Sequence, residues 1–172
     1  MRFIVLDAST AILLTKIDLL RSVVSEGEAW MAESAFREST AKPEADDARM
    51  IRKLVDEGLI RRASGRGEGA RIQKDFRLDA GESDSIALAR EKAAVCATDD
   101  GPAIRCLKVL GLPFTTAIAL LVAMAESGHV TGELALELTS KLERFGRYDP
   151  RILEDAGRRI REVGRRGKGG KS

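Results

Sequence analysis

The chain has few of the side chains that bind soft metals or build disulfide frameworks. Its 172 residues include two cysteines, Cys96 and Cys106, and one histidine, His129. Neither cysteine lies at zinc-ligand spacing to the other or to the histidine, and with no secretory signal both are best read as reduced core residues. We therefore expect no zinc site and no disulfide scaffold. A bound metal should be a hard cation held by oxygen atoms.

Aromatic residues and long apolar runs are scarce as well. Aromatic residues make up 4% of the chain, so the core must consist mainly of Ala, Leu, Ile and Val. No apolar run reaches the roughly 18 residues needed to span a bilayer. The first apolar run meets Asp7, which is too early for a secretory signal. We therefore expect a cytoplasmic globular protein that does not enter a membrane.

Charge is abundant but unevenly distributed. The net charge is +2, yet residues 61–74 carry +4 and residues 151–172 carry +5, which leaves −7 on the remainder. An acidic body with two basic edges suits a phosphate-backbone ligand that approaches an acidic pocket, although an ordinary solvated surface explains the same charges. Five arginines in the basic segments are candidates for contacts with such a ligand: Arg61, Arg62, Arg66, Arg165 and Arg166.

Short apolar segments alternate with helical patterns along the chain. Residues 2–6 and 94–98 have the composition of buried strands. Weaker strand patterns cover residues 29–31, 59–62 and 113–115. Helical patterns cover residues 10–25, 33–40, 43–58, 79–94, 101–111, 116–128, 132–145 and 150–163, and the glycine-rich residues 64–70 predict a mobile loop. This alternation predicts an α/β fold in three α/β/α layers, with a short central parallel sheet and extra C-terminal helices.

Acidic residues follow both of the buried-strand patterns. Asp7 comes directly after the pattern of residues 2–6, and the pair Asp99 and Asp100 comes directly after that of residues 94–98. In a parallel sheet the ligand crevice lies outside the carboxyl ends of the strands, so these acids should meet there. Glu38 lies on the helix that follows the strand pattern of residues 29–31, so it can join these acids.

Two more acids, Glu82 and Asp84, lie in the first turn of the helix that Gly81 opens. For Glu82 alone, capping of the free N–H groups is the simpler interpretation. Ser9 and Thr98 can likewise act as caps and turn formers, or can position a water or a metal ligand.

Several carboxylates around one crevice repel one another and retain protons unless a cation neutralises them. Ligands that offer only oxygen select Mg²⁺ or Mn²⁺. Such ions lower the pKa of a bound water and stabilise charge on the leaving oxygen of a phosphodiester. A metal site that cleaves phosphodiesters therefore explains the acids without a histidine or lysine base.

Four segments, in order, resemble the motifs of the PIN-domain family. FIVLDASTAILL is similar to the first motif, with Asp7 as its acid, and WMAESAFREST to the second, with Glu38. GESDSIALA resembles the third, where Asp84 takes the acid position. VCATDDGPAIRCLKVLGLP resembles the last, where Asp100 fits the Thr-x-Asp spacing and Asp99 is the alternative.

The resemblance implies a Mg²⁺- or Mn²⁺-dependent endoribonuclease that acts on RNA. It also implies the toxin of a toxin–antitoxin pair (VapC-like), with a small antitoxin as partner and a homodimer as assembly. Its catalytic residues would be Asp7, Glu38, Asp84 and Asp100. The metal ligands would be Asp7, Asp84, Asp100 and Asp99, and the supporting residues Glu82, Thr98 and Ser9.

The expected organisation is a nuclease domain over residues 1–127 and a C-terminal helical extension over residues 128–163, packed on the domain or at a dimer interface. Residues 164–172 are expected to form a disordered basic tail.

Two other functions compete with the nuclease. A catalytically silent PIN-like module that binds RNA or protein is disfavoured because all four acid positions are filled. A receiver-like phosphotransfer domain requires a lysine at a distal strand end, and none stands there.

Overall fold

The computed structural model describes residues 3–65 and 67–168, with side chains described as far as residue 163. The strands within these residues are β1 (Phe3–Leu6), β2 (Glu28–Ala32), β3 (Ile60–Ala63), β4 (Val95–Ala97) and β5 (Phe114–Thr115). The helices are α1 (Ala8–Lys16), α2 (Leu20–Ser25), α3 (Glu33–Ser39), α4 (Asp46–Asp56), α5 (Glu68–Phe76), α6 (Ala80–Glu91), α7 (Gly101–Val109), α8 (Ala117–Glu126), α9 (Gly132–Phe145) and α10 (Pro150–Lys168). No described helix combines the length and the apolar character that crossing a membrane requires.

All five strands form one parallel sheet in the order β3-β2-β1-β4-β5. Strand β1 lies at its centre. Successive residues of a strand point to opposite faces of a sheet, and Ile4, Val5 and Leu6 of β1 are all at most 4% exposed. Both faces of the sheet are therefore covered, as expected of a parallel sheet with helices on each side. The predicted α/β fold with a central parallel sheet is confirmed.

The chain divides into two compact units, residues 1–117 and residues 118–172. The boundary expected after residue 127, between a nuclease domain and a C-terminal helical extension, stays a prediction. Within the second unit α9 packs against α10. Apolar residues at helical spacing are buried on both helices, namely Ala135, Leu138, Leu142, Ala156 and Ile160.

Two of the predicted helices have different bounds because the backbone turns within them. The helix predicted over residues 10–25 is split, since Asp18 adopts a left-handed conformation with φ of 56° between α1 and α2. Aspartate tolerates that conformation better than most residues. The helix predicted over residues 43–58 begins at Asp46, with Ala45 in an extended conformation as its N-cap.

Two other segments are more helical than the sequence patterns predict. Residues 64–70 were expected to form a loop, yet α5 begins within them at Glu68, after Gly67 turns the chain with φ of 75°. Helix α10 continues to Lys168, five residues beyond its predicted end at Val163. The helix thus extends into the segment that was expected to be a disordered tail, and residues 169–172 of that segment lie outside the described part of the chain.

Candidate active site

Asp7 is the most deeply buried acid at the carboxyl end of the sheet. It lies directly after β1, is 2% exposed, and occupies the N-cap position of α1 without making a capping bond through its side chain. Oδ2 accepts hydrogen bonds from the hydroxyls of Ser9 and Thr98, each at 3.0 Å. Oδ1 is buried and has no hydrogen-bond partner among the described residues. Burial raises the pKa of Asp7, although the two hydroxyl donors and the backbone of Ala8 oppose this rise.

Ser9 and Thr98 also connect the ends of β1 and β4. These strands are adjacent, with Leu6 opposite Ala97, so the residues that follow them must meet. Thr98 Oγ1 accepts a hydrogen bond from the backbone N–H of Asp100, and Ser9 Oγ accepts one from that of Asp99, both at 3.2 Å. Ser9 and Thr98, two of the three residues predicted to support the site, therefore contact Asp7. Neither caps α1, contrary to the expectation for Ser9.

The first turn of α6 brings two more acids to this end of the sheet. Asp79 is the N-cap of the helix, and its Oδ1 accepts a hydrogen bond of 2.9 Å from the backbone N–H of Glu82. Glu82 Oε2 in turn accepts a hydrogen bond of 3.1 Å from the backbone N–H of Asp79. This reciprocal capping box fixes where Glu82 stands. The capping interpretation of Glu82 is correct, but it does not describe the whole environment of the residue.

Glu82 also contacts Asp100, which follows β4. Asp100 Oδ1 accepts a hydrogen bond of 2.8 Å from the backbone N–H of Ala103 and so caps α7. The carboxyl groups of Glu82 and Asp100 lie within hydrogen-bonding reach of each other. Burial, followed by the charges of Asp100 and Asp79, raises the pKa of Glu82 to about 7. A cation between two carboxyl groups this close would relieve the repulsion between their charges.

Glu38 reaches the same region from α3. Its Oε2 lies against Gly81 in the first turn of α6, in the space that a Cβ atom on residue 81 would need. Burial, followed by the charges of Asp79 and Asp7, raises the pKa of Glu38. Glu38 therefore lies close enough to both aspartates for their charges to affect its pKa. This proximity is what the prediction that Glu38 joins Asp7 requires.

Asp84, predicted as the third acid, lies elsewhere. Its Oδ2 accepts a hydrogen bond of 2.6 Å from Ser34, and its Oδ1 lies against Gly69 in the first turn of α5. Two residues along a helix correspond to a rotation of about 200°, so Asp84 and Glu82 point to nearly opposite sides of α6. The structure thus places Glu82, and not Asp84, beside Asp100.

Asp99, the alternative to Asp100, is engaged in a different set of bonds. Its Oδ2 accepts hydrogen bonds from Thr10 Oγ1 at 2.5 Å and from the backbone N–H of Ala117 at 2.9 Å. These bonds tie the end of β4 to α1 and to the start of α8. Asp100 therefore belongs with the acid cluster, and Asp99 stabilises the chain around it.

The acid cluster as the structure assembles it comprises Asp7, Glu38, Asp79, Glu82 and Asp100. Asp79 was not among the site residues expected from the sequence. Its charge nevertheless raises the pKa of three other acids, Asp7, Glu38 and Glu82. The available signal was its position, because a residue that caps the helix bearing Glu82 must lie at the same end of the sheet.

The cluster fits a loosely held divalent cation better than a fully enclosed one. Among the described residues, no three acidic, histidine or cysteine side chains form a ready set of ligands for one ion. Mg²⁺, however, keeps several waters and is usually held by one or two carboxylates together with substrate phosphates. Ligands that offer only oxygen, together with the partnerless Oδ1 of Asp7, suit an ion of that kind.

The arginines expected to contact a phosphate backbone already have neighbours. Arg61 forms an ion pair of 2.8 Å with Glu28 and lies over the ring of Trp30. Arg62 lies 3.6 Å from Glu33 and stacks on Phe36. Both remain exposed, and exposed pairs of this kind are weak enough to exchange for phosphate. The side chains of Arg66, Arg165 and Arg166 lie outside the described part of the structure.

A comparison with protein families identifies the family of the chain. A family model described as a PIN domain matches residues 3–162. The chain therefore belongs to the PIN-domain family, whose members are generally nucleases that act on RNA and typically use divalent metal ions. No curated protein matches the chain.

Proposed function

We propose that the chain is a Mg²⁺- or Mn²⁺-dependent endoribonuclease whose active site is the acid cluster. The observation that carries this proposal is the environment of Asp7. A buried carboxylate with one partnerless oxygen is costly in a protein, and the surrounding acids raise that cost. A divalent cation at this position removes both penalties.

Each acid of the cluster then has a role of its own. Asp7, Glu82 and Asp100 are the residues that would hold the ion, and Ser9 and Thr98 orient Asp7 by occupying its Oδ2. When bound, the ion supplies a more acidic water and neutralises charge at the phosphate. The pKa of Glu82 is raised to about 7 in the metal-free protein, and a cation at this position would favour its ionised form.

In this proposal Glu82 takes the place that the sequence analysis gave to Asp84. Glu82 lies beside Asp100, whereas Asp84 is bonded to Ser34 and lies against α5. Asp84 is thus assigned a structural role.

A PIN-like module that binds RNA or protein without cleaving is the second candidate. One observation favours it, namely that no three side chains among the described residues stand ready to enclose an ion. The two candidates differ in one measurable property, because only the nuclease requires the metal for turnover.

We further propose that the protein is the toxin of a toxin–antitoxin pair, acting in the cytoplasm as a homodimer. The support for this is the resemblance of its motifs to those of toxin ribonucleases. A protein antitoxin would have to neutralise an acidic site, so we expect it to insert a basic side chain among the acids.

The decisive experiment is cleavage of a fluorescently labelled single-stranded RNA by purified protein, with EDTA, Mg²⁺ or Mn²⁺. We expect cleavage only with metal, its loss in Asp7→Asn, and its retention in the matched variant Asp84→Asn. Cleavage that Asp7→Asn leaves intact indicates a contaminating nuclease and removes the support for the proposal. Metal-independent RNA binding without cleavage identifies the silent module instead.

A further inference from the structure

Gly81 has an unusual neighbour for a glycine in the first turn of a helix. A Cβ atom built on it would occupy the position of Glu38 Oε2. The remaining close neighbours are at ordinary contact distances, 3.5 Å to Asp79 Oδ1 and 3.6 Å to the Cα of Ala35. The absence of a side chain at residue 81 therefore leaves space for the Glu38 carboxylate and for little else.

We infer that Gly81 is a positioning residue for Glu38. By leaving this space open, it allows the Glu38 carboxylate to lie against the turn that also carries Asp79 and Glu82. The inference rests on the proposed function, since it concerns how one acid of the cluster is held. It also explains in physical terms why a glycine precedes the acid in the segment GESDSIALA.

A methyl group in this space should change the position of Glu38 without preventing the protein from folding. The atom in the way is the far end of a flexible side chain, which can rotate, and the backbone of α3 is not obstructed. Alanine is also a better helix former than glycine. Gly81→Ala should therefore fold and should displace the Glu38 carboxylate from the cluster.

A matched control stands in the equivalent turn of α7. Gly101 directly follows the N-cap Asp100, and a Cβ atom there would approach only the end of the Arg105 side chain, at 3.5 Å. Gly101→Ala thus makes the same chemical change beside another acid of the cluster without displacing a carboxylate.

The test measures the melting temperature of the full-length protein against Mn²⁺ concentration, together with crystal structures of the metal-free variants. We expect Gly81→Ala to raise the Mn²⁺ concentration for half-maximal stabilisation about tenfold or more, as disturbing the residues that orient ligands typically does. Gly101→Ala should leave this midpoint unchanged. The Gly81→Ala crystal structure should show Glu38 rotated away over an unchanged backbone.

A second substitution distinguishes displacement of the Glu38 carboxylate from a general disturbance of helix α6. Glu38→Asp alone shortens the acid and should weaken the Mn²⁺ response. In the Gly81→Ala background the same change should improve the response, because a shorter acid avoids the added methyl group. This reversal of sign is not expected if alanine merely strains the helix.

The remaining outcomes also decide the inference. If Gly81→Ala fails to fold but Gly81→Ala with Glu38→Ala folds, the obstruction is the Glu38 side chain, as inferred. If both fail, or if Glu38 stays in place with an unchanged Mn²⁺ midpoint, Gly81 does not position it. If the wild-type protein shows no Mn²⁺ response, the proposed function fails, and the position of Glu38 in the two crystal structures still decides the inference.

Discussion

Thr98 Oγ1 donates a hydrogen bond of 3.0 Å to Asp7 Oδ2, and the two side chains are 1% and 2% exposed. This bond joins the ends of β1 and β4 inside the protein. Thr98→Val keeps the shape of the side chain but leaves Asp7 with a single hydroxyl donor. We expect it to lower the free energy of unfolding by about 1–3 kcal/mol, the usual cost of an unsatisfied buried polar group. Urea denaturation in EDTA measures the loss, and Thr98→Ser, which keeps the hydroxyl, should retain more of the bond than Thr98→Val.

Asp7→Asn removes the buried charge while preserving the shape of the side chain. Because burial and the charge of Asp79 both disfavour ionised Asp7, we expect the metal-free variant to be slightly more stable than wild type near neutral pH. Millimolar Mn²⁺ should raise the melting temperature of wild type and leave that of the variant unchanged, since the ion binds only the folded cluster. An equal metal-induced shift in both proteins would place the metal elsewhere.

The metal-free protein should lose stability as the pH rises from about 5 to about 7.5. Glu82 has a pKa of about 7 in the folded protein against an ordinary value of 4.5, so in this interval the folded state retains a proton that the unfolded state has released. The raised pKa values of Asp7 and Glu38 act in the same direction. Glu82→Gln keeps the capping box and should reduce the loss by about 1 kcal/mol, allowing for solvent screening. Urea titrations at the two pH values check this, and an equally steep decline in Glu82→Gln contradicts it.

Glu82 and Asp84, two residues apart, should behave oppositely when neutralised. Glu82→Gln should abolish RNA cleavage and leave stability near that of wild type. Asp84→Ala removes the bond from Ser34 and the carboxylate at the first turn of α5, so it should cost about 1 kcal/mol of stability and retain cleavage. Circular-dichroism melting and the RNA assay, applied to both variants, compare the two directly. Loss of cleavage in a folded Asp84→Ala protein would contradict the structural role proposed for Asp84 and would assign it to the active site.

Deletion of residues 164–172 should weaken RNA binding without affecting the acid cluster. The segment carries four cations and no acids: Arg165, Arg166, Lys168 and Lys171. If all four contact phosphate, the slope of log K against log salt should become shallower by up to about 3 units. The Mn²⁺-induced shift in melting temperature should persist. Equal affinity and equal salt slope for the full-length and truncated proteins would show that the segment serves only as an extension.

The fold and most of the site were accessible from the sequence for one physical reason. A buried strand that runs directly into an acid fixes where that acid stands, because carboxyl ends of parallel strands share an edge. Asp7 and the pair of Asp99 and Asp100 follow from this rule, whereas the preference for Asp100 within the pair came from the resemblance to the Thr-x-Asp spacing of the PIN motif. The position of Glu38 is predicted less directly, because Glu38 lies on α3 and not at the end of a strand.

The choice between Glu82 and Asp84 did not follow from the sequence. Both lie in one helical turn, and which of them faces the sheet end depends on the rotation of α6 about its axis. That rotation is fixed by the capping bonds of Asp79 and by the packing of α6 against α3 and α5, which are tertiary features. Helix α5 was missed for a related reason, because glycines that suggest a loop also permit the left-handed turn at Gly67 that starts the helix.

The strand order also has a consequence for synthesis of the chain on the ribosome. Asp7 is synthesised well before the residues that follow β4, since Thr98 and Asp7 are separated by 91 positions. Until β4 has been made and has paired with β1, Asp7 has Ser9 but lacks both the hydroxyl of Thr98 and the neighbouring Asp100. A nascent chain surrounded by ribosomal and messenger RNA thus carries an incomplete site. The pairing of β4 with β1 is the step that brings these residues together.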